Sequence, residues 1–507
     1  MAMACGLRPD LHSRRGKLIV LRRCSDWAMN IDNRQEKAKH RVRQLLWLFF
    51  WLLLLEGVLR KWIVPQLSDP LLIVRDPIVL LIYYFAIRAR IFPRNFWVFL
   101  LGVIAFFAVA TSLIQLWPYL PPAKTLLVVG YGFRSNFFQL PLIWIIALVF
   151  GPEDVKKLGW WTLVFLLPLT MLMVAQFSAP PDAFVNRTAG GGSEIMMSAL
   201  GKVRTSGTFT FVIGVVAYEA MAAAFLIWAA LRRDVYKTRL LIVAGVALVV
   251  GVSVSGSRSV VGACALVIAS LLVVLFMRAD LLNRFGRALI VALILGVIIS
   301  RTPLVREGMQ VLSVRFSEVN EGEQSIARSL LERPIAVFEE GFSVLSKAPL
   351  FGYGVGVGTN AGAKFLTGRS VFLLSEGEWS RILLESGPLL GIAYLAWRTA
   401  LVGRIGWLTL KSVRRGNLLP LLLFSASFLP LVSGQLGQPT ILGFAVFVSG
   451  LTLAARNTET ESAVSVQPQP PARAASAQRV VRGRSVYAER MHAQANRQIE
   501  KNGSADR

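Results

Sequence analysis

About twelve apolar runs, most of them long enough to cross a bilayer as a helix, punctuate this chain, and few folds can absorb so many. They fall at roughly 44–59, 71–87, 96–117, 125–150, 159–177, 210–231, 240–254, 260–277, 287–300, 382–397, 418–435 and 439–455. The seventh and ninth are short, and only Ser255 to Ser259 separates the seventh from the eighth. Glu56, Arg60, Arg75 and Asp76 intrude on the first two. Hydrophobic residues make up 54% of the 507 positions and charged residues 17%, against about 25% in soluble domains. That balance excludes a soluble enzyme, a disordered protein and a disulfide scaffold. The expected fold class is all-α: a polytopic membrane helix bundle of about 12 transmembrane helices, with a large outer loop between helices 9 and 10.

Charge sets the expected orientation. Lys and Arg number 55 against 29 Asp and Glu, a net charge of +26. In a soluble chain that excess would suggest nucleic acid, but here the basic residues sit between the apolar runs, so no nucleic-acid partner is expected. With the N-terminus inside, the short inner loops hold seventeen Lys and Arg and the short outer loops seven. Residues 1–43 add eleven and residues 456–507 nine, also inside. This asymmetry obeys the positive-inside rule and predicts two cytoplasmic termini. The basic tail 1–43 lacks the apolar core and small-residue cleavage site of a signal peptide, and Met29 is a second candidate start. The Ala-, Gln-, Ser-, Arg- and Pro-rich stretch 456–507 cannot support a core and is expected to be disordered, its charge meeting anionic membrane lipids.

The remaining organisation is 44–300 for helices 1–9 with an outer loop at 178–209, 301–380 for the large outer loop, and 381–455 for helices 10–12. Within the large loop, Ser325 to Ser346 has helical patterning that Pro334 would interrupt. Gly352, Gly354, Gly356 and Gly358 follow at alternate positions without the Lys-Ser/Thr of a phosphate-binding loop, which reads as a tight, flexible turn. Cys5 and Cys24 lie in the tail and Cys264 in an apolar run, so no outer disulfide is expected. The three histidines, His12, His40 and His492, all lie in the tails, which predicts no multi-histidine metal site and no cofactor.

A few charged residues stand out. Arg258, in the turn Ser255-Gly-Ser-Arg-Ser259, is either a headgroup anchor or a ligand contact. Arg134 lies inside the fourth run with no acidic neighbour in sequence, so its partner has to come from another helix or a bound anion. Glu56, Arg60, Lys61, Arg75 and Asp76 can pair locally. In Glu376-Gly-Glu378-Trp-Ser-Arg381-Ile-Leu-Leu-Glu385-Ser-Gly387, the residues Glu378, Arg381 and Glu385 fall along one side of a helix. That constellation is either an ion-paired helix start or a source of a general base.

Taken together, these segments resemble the O-antigen ligase and polymerase superfamily of bacterial envelope enzymes over roughly residues 200–395. Arg204-Thr-Ser-Gly-Thr-Phe209 looks like the family's Arg-containing segment before a span, and Ser255 to Ser259 looks like its Ser/Gly-Ser-Arg turn. Arg315 and Arg328, ahead of Pro349-Leu-Phe-Gly-Tyr-Gly-Val-Gly356, look like its loop arginines. Many members carry a histidine eleven residues before a Glu-x-Gly glycine; counting back from Gly387 lands on Glu376, so glutamate stands in place of the family's usual outer-loop histidine.

The resemblance implies a glycosyltransferase in the bacterial inner membrane, metal-independent and acting at the periplasmic face. Its donor would be an undecaprenyl-diphosphate-linked glycan, used to polymerise a cell-surface polysaccharide such as O-antigen or exopolysaccharide. The alternative is a ligase that moves the glycan to lipid A core. Arg204, Arg258, Arg315 and Arg328 would bind the diphosphate, because the guanidinium fork suits phosphate oxygens. Glu376 would take the acceptor proton, with Glu378 in reserve. Expected partners are membrane lipids and, in the pathway, a flippase and a chain-length regulator. A lipid-linked glycan transporter and a non-catalytic assembly subunit are the rival readings.

Overall fold

The computed structural model describes residues 14–189, 197–232, 234–277, 296–320, 338–369 and 371–456, with the backbone alone for 14–34, 277 and 318–320. Among these the chain is helical, without strands, apart from one isolated antiparallel bridge between Met197 and Val203. The helices are α1 Arg14–Val58, α2 Asp76–Arg88, α3 Phe96–Leu116, α4 Pro122–Phe133, α5 Leu142–Val149, α6 Pro152–Ser178 and α7 Val212–Leu231. They continue as α8 Thr238–Val254, α9 Arg258–Met277, α10 Pro303–Asn320, α11 Asn360–Thr367, α12 Glu378–Arg414, α13 Leu419–Ser433 and α14 Pro439–Ala455. Among the described residues seven stretches are long and apolar enough to cross a membrane, and α8, α13 and α14 are shorter apolar helices.

Local chemistry accounts for many of the starts. Proline, whose missing N–H costs nothing in a first turn, opens α2, α4, α6, α13 and α14. The Asn95 side chain caps α3 by accepting from the Val98 N–H at 2.9 Å, and the Thr359 hydroxyl caps α11 through the Gly362 N–H.

Burial sorts the helices into layers. The apolar window of α7 is 72% buried and those of α2 and α3 only 28%, which makes α7 central and the other two peripheral. Ala217, Ala220, Ala222, Ala223, Ala224 and Ala229 let α6, α8, α9, α13 and α14 approach α7 closely. The peripheral helices turn Leu80, Phe99, Phe106 and Ile114 outward, as a lipid-facing surface requires.

Several sequence expectations change. The first apolar run continues a helix that begins at Arg14, so most of the expected tail 1–43 is helical. The fourth run is not one helix: a π turn at Arg134–Phe138 separates α4 from α5. The tenth run belongs to the 37-residue α12. The ninth lies mostly outside the described residues, with only 296–300 seen as helix, and so do most of the tail 456–507 and residues 325–337 of the expected loop helix.

The alternating glycines form a structural plug. Gly387 breaks α12 with φ at +72°, followed by Pro388, and the break frees the carbonyls of Leu384 and Glu385. These accept from the Tyr353 and Gly354 N–H groups at 2.8 and 2.9 Å. The Val355 N–H donates to Ser112 Oγ and the Gly358 N–H to Glu385 Oε1, both at 2.8 Å. Gly352, Gly354 and Gly356 all have positive φ, which glycine adopts without steric cost. With these amides spent on protein acceptors, the run is not an anion cradle. A Cβ at Gly387 would meet the Leu350 carbonyl and the Gly352 nitrogen as well as strain the backbone. Gly387→Ala is therefore expected to cost at least about 1–3 kcal/mol and to lower the melting temperature in detergent. An unchanged melting temperature would refute the plug.

Candidate functional site

Two charged networks lie inside the bundle. In the first, Glu56 meets Arg75 at 2.9 Å and Arg60 at 3.5 Å, while Arg75 reaches the Pro439 carbonyl. Beside it Asp76 holds Arg134 at 2.6 Å and accepts from Gln139 at 2.7 Å. Arg134 thus finds its acid on another helix, and Asp76 pairs across the bundle, not locally.

The second network belongs to α12. Arg381 bridges Glu378 at 2.9 Å and Glu385 at 2.6 Å, one turn before it and one turn after it on one helix face, and also donates to Asn136 Oδ1. Arg398 binds the other oxygen of Glu378 at 2.9 Å and donates to the carbonyls of Leu431 and Gly434. The Leu436 N–H also donates to Glu378. The Glu378 side chain is completely buried, with both oxygens engaged by cations. Its observed work is to join α12 to the α13–α14 connection.

A third arrangement is different in kind. A cavity of about 40 Å³ is lined by Lys61, Gln176, Asn186, Arg187, Thr188, Arg204 and Ser206 among others, with no carboxylate among the described residues of its wall. Gly57 sets the main chain of α1 against the carbonyl of Thr208 and the backbone of Phe209. One turn later Lys61 Nζ donates to Ser206 Oγ at 2.6 Å and to the Gly207 carbonyl at 3.1 Å. At the end of α6, Gln176 Oε1 accepts from the Ser206 and Gly207 N–H groups, and its amide donates to the Val185 carbonyl. Asn186 ties the same loop to the Pro180 carbonyl at 2.8 Å. The wall is thus a set of crossed main-chain segments held by neutral amides, with three cations presented on it. Such a recess suits a phosphate-sized anion.

The sequence-derived candidates divide around this cavity. Arg204 lines it. The Ser255–Ser259 turn abuts the Arg204 segment: Ser198 Oγ donates to the Gly256 carbonyl at 3.0 Å, and Thr205 Oγ1 to the Val254 carbonyl at 3.2 Å. Arg258, the first residue of α9, is half-buried at that turn. Arg315 lies on α10, which packs on α8 and α9, with Lys202 bridging to Glu307 at 2.8 Å. Arg328 lies outside the described residues. Glu376 is exposed just before α12, its carbonyl accepting from Gln435, and neither Glu376 nor Glu378 lines the cavity.

Sequence reasoning missed Lys61, Arg187 and Gln176. Lys61 was grouped with its charged neighbours, yet among the described residues it pairs with no carboxylate and turns to a segment 145 residues away. Its position next to Gly57 and Trp62 carried no motif that could have pointed there.

The two glutamates separate cleanly in a stability measurement. Glu378→Ala leaves Arg398 in the interior without a carboxylate and Arg381 with Glu385 alone, and is expected to cost about 3–5 kcal/mol, seen as lost folded yield in size-exclusion profiles. Glu376→Ala is expected to change stability by no more than about 0.5 kcal/mol. Equal behaviour of the two variants would contradict this assignment. Compared with known proteins, the chain matches no family model and no curated relative.

Proposed function

We propose that the protein is a membrane glycosyltransferase that draws on an undecaprenyl-diphosphate-linked glycan and polymerises a cell-surface polysaccharide. The observation that carries this reading is the cavity onto which Lys61, Arg187 and Arg204 converge, built partly from the Arg204–Phe209 segment and abutting the Arg258 turn. A departing lipid diphosphate needs its charge stabilised, and preorganised guanidinium and ammonium donors supply a few kcal/mol each in such a role. In the reaction, the acceptor hydroxyl attacks the anomeric carbon and the bond from that carbon to the diphosphate oxygen breaks. Lipid diphosphate leaves into the hold of Arg204, Arg258, Lys61 and Arg187, to which Arg315 of α10 and Arg328 add charge. The acceptor proton passes to the exposed Glu376 carboxylate. Transfer to lipid A core, as in a ligase, uses the same donor site with a different acceptor.

In this reading the chain crosses a bacterial inner membrane about twelve times, with both termini cytoplasmic and residues 301–380 periplasmic. The seven long apolar helices, the three shorter ones, α12 and the run ending at residue 300 make up that count. A flippase would supply the donor and a chain-length regulator would act on the product. The placing of Glu376 and Glu378 away from the cavity wall favours a second reading, in which the protein binds or transports the lipid diphosphate without transfer.

Purified protein, a lipid-diphosphate-linked repeat and product sizing decide between them. Polymerase activity lengthens the glycan on the same lipid, and Arg204→Ala, Arg258→Ala and Lys61→Met each lower the rate by about 10²–10³-fold. Activity only with lipid A core identifies a ligase. Donor binding without transfer supports the second reading, and full activity in all three variants refutes the anion site.

A further inference from the structure

One buried acid takes part in none of these arrangements. Glu219, two turns into α7, is fully buried, and neither of its carboxyl oxygens has a hydrogen-bond partner. Every other buried glutamate among the described residues holds at least one arginine: Glu56 pairs with Arg75, Glu378 with Arg381 and Arg398, and Glu385 with Arg381. Glu219 has instead Gly251 of α8 pressed against Oε1, so close that a Cβ there would collide with it. Thr170 of α6 borders the same contact, but its hydroxyl donates to the Ala247 carbonyl at 3.2 Å.

The other titratable groups nearby are neutral ones. Tyr218 donates to the Thr162 carbonyl at 2.6 Å, and Cys264 of α9 lies within electrostatic reach. The residues that α6, α8, α9, α13 and α14 bury include no charged side chain among those described. An ionised carboxylate in an apolar interior, without donors or a cation, neutralises by taking a proton. Gly251 closes the Oε1 side of the carboxyl.

We propose that Glu219 is a proton-binding site inside the bundle: its carboxyl carries the proton in this packing and releases it only when α8 draws away from α7 at Gly251. The two helices that enclose it are the two that meet the cavity end. α7 begins directly after the cavity residues Thr210 and Phe211, and α8 ends one turn beyond Gly251 at the turn holding Arg258. A shift of that wall is therefore transmitted to the Glu219–Gly251 contact over about two helical turns. The site stands on packing alone and is independent of glycosyl transfer.

Infrared spectroscopy of the full-length protein in lipid nanodiscs tests this through the C=O stretch of a protonated carboxyl. The expected result is such a band at neutral and mildly alkaline pH, absent in Glu219→Gln and shifted or weakened in Gly251→Ala. No band from folded wild-type protein, or a band that survives in Glu219→Gln, overturns the proton site. A band that Gly251→Ala leaves unmoved overturns its dependence on the α7–α8 contact. Should Gly251→Ala fail to fold, deuterium exchange of the wild-type band decides the same point. Slow exchange supports a sealed site, and exchange as fast as that of a surface carboxyl refutes it.

Discussion

A guanidinium removed from water must meet carboxylates or carbonyls that were already in place, and much of this bundle is arranged around that requirement. Arg75, Arg134, Arg381 and Arg398 each reach partners on other segments: Glu56 and Pro439, Asp76 and Leu72, Asn136, and Leu431 with Gly434. These ties join parts of the chain that a uniformly apolar interface would let slide, because apolar side chains pack about equally well in neighbouring registers while a fork-shaped cation does not. At the end of α13 the carbonyls become available because the helix stops where Arg398 arrives: Leu431 lies in its last turn and Gly434 follows it. Gly387 follows the same logic, since the amides of Tyr353 and Gly354 satisfy the carbonyls its break exposes.

The cavity is the exception that this rule makes visible. Lys61 is as buried as the network arginines but has a hydroxyl and a carbonyl for partners among the described residues, and Arg187 and Arg204 share its wall. Gln176 and Asn186 are neutral and spent on main-chain groups. Among the described residues the wall therefore presents three cations and no carboxylate, an arrangement that suits an anionic ligand.

What the sequence made legible was whatever depends on local period or local spacing. The apolar runs foretold α3, α6, α7, α8, α9, α13 and α14 to within a few residues, apart from the start of α6, because burial in lipid leaves a contiguous trace. The spacing of Glu378, Arg381 and Glu385 foretold their shared helix face for the same reason. The π turn after α4 and the meeting of Lys61 with Ser206 left no such trace. The turn arises from packing at Arg134 to Phe138, and the meeting depends on Gly57 admitting a backbone that lies about 150 residues further along the chain. The glycine run was readable as a turn but not as a plug, since its acceptors belong to α12.

Transfer from a lipid diphosphate makes a geometric demand that joins these observations. The diphosphate leaves from one face of the anomeric carbon while the acceptor arrives at the other, so the cations and the base must flank a single sugar. The cavity lies where α1, α6 and α7 meet, and Glu376 lies where α12 approaches the α13–α14 connection. Between them runs α9, which packs on α7 and also touches α12. Its first residue is Arg258, set at the turn that abuts the Arg204 segment. In the proposed reaction Arg258 is therefore the cation best placed to follow the charge as it moves from the anomeric bond to the diphosphate, with Lys61 and Arg204 holding the phosphate further from the sugar. In that proposal a ligand in the cavity would also bear on the contact that seals Glu219, because α7 starts at the cavity wall.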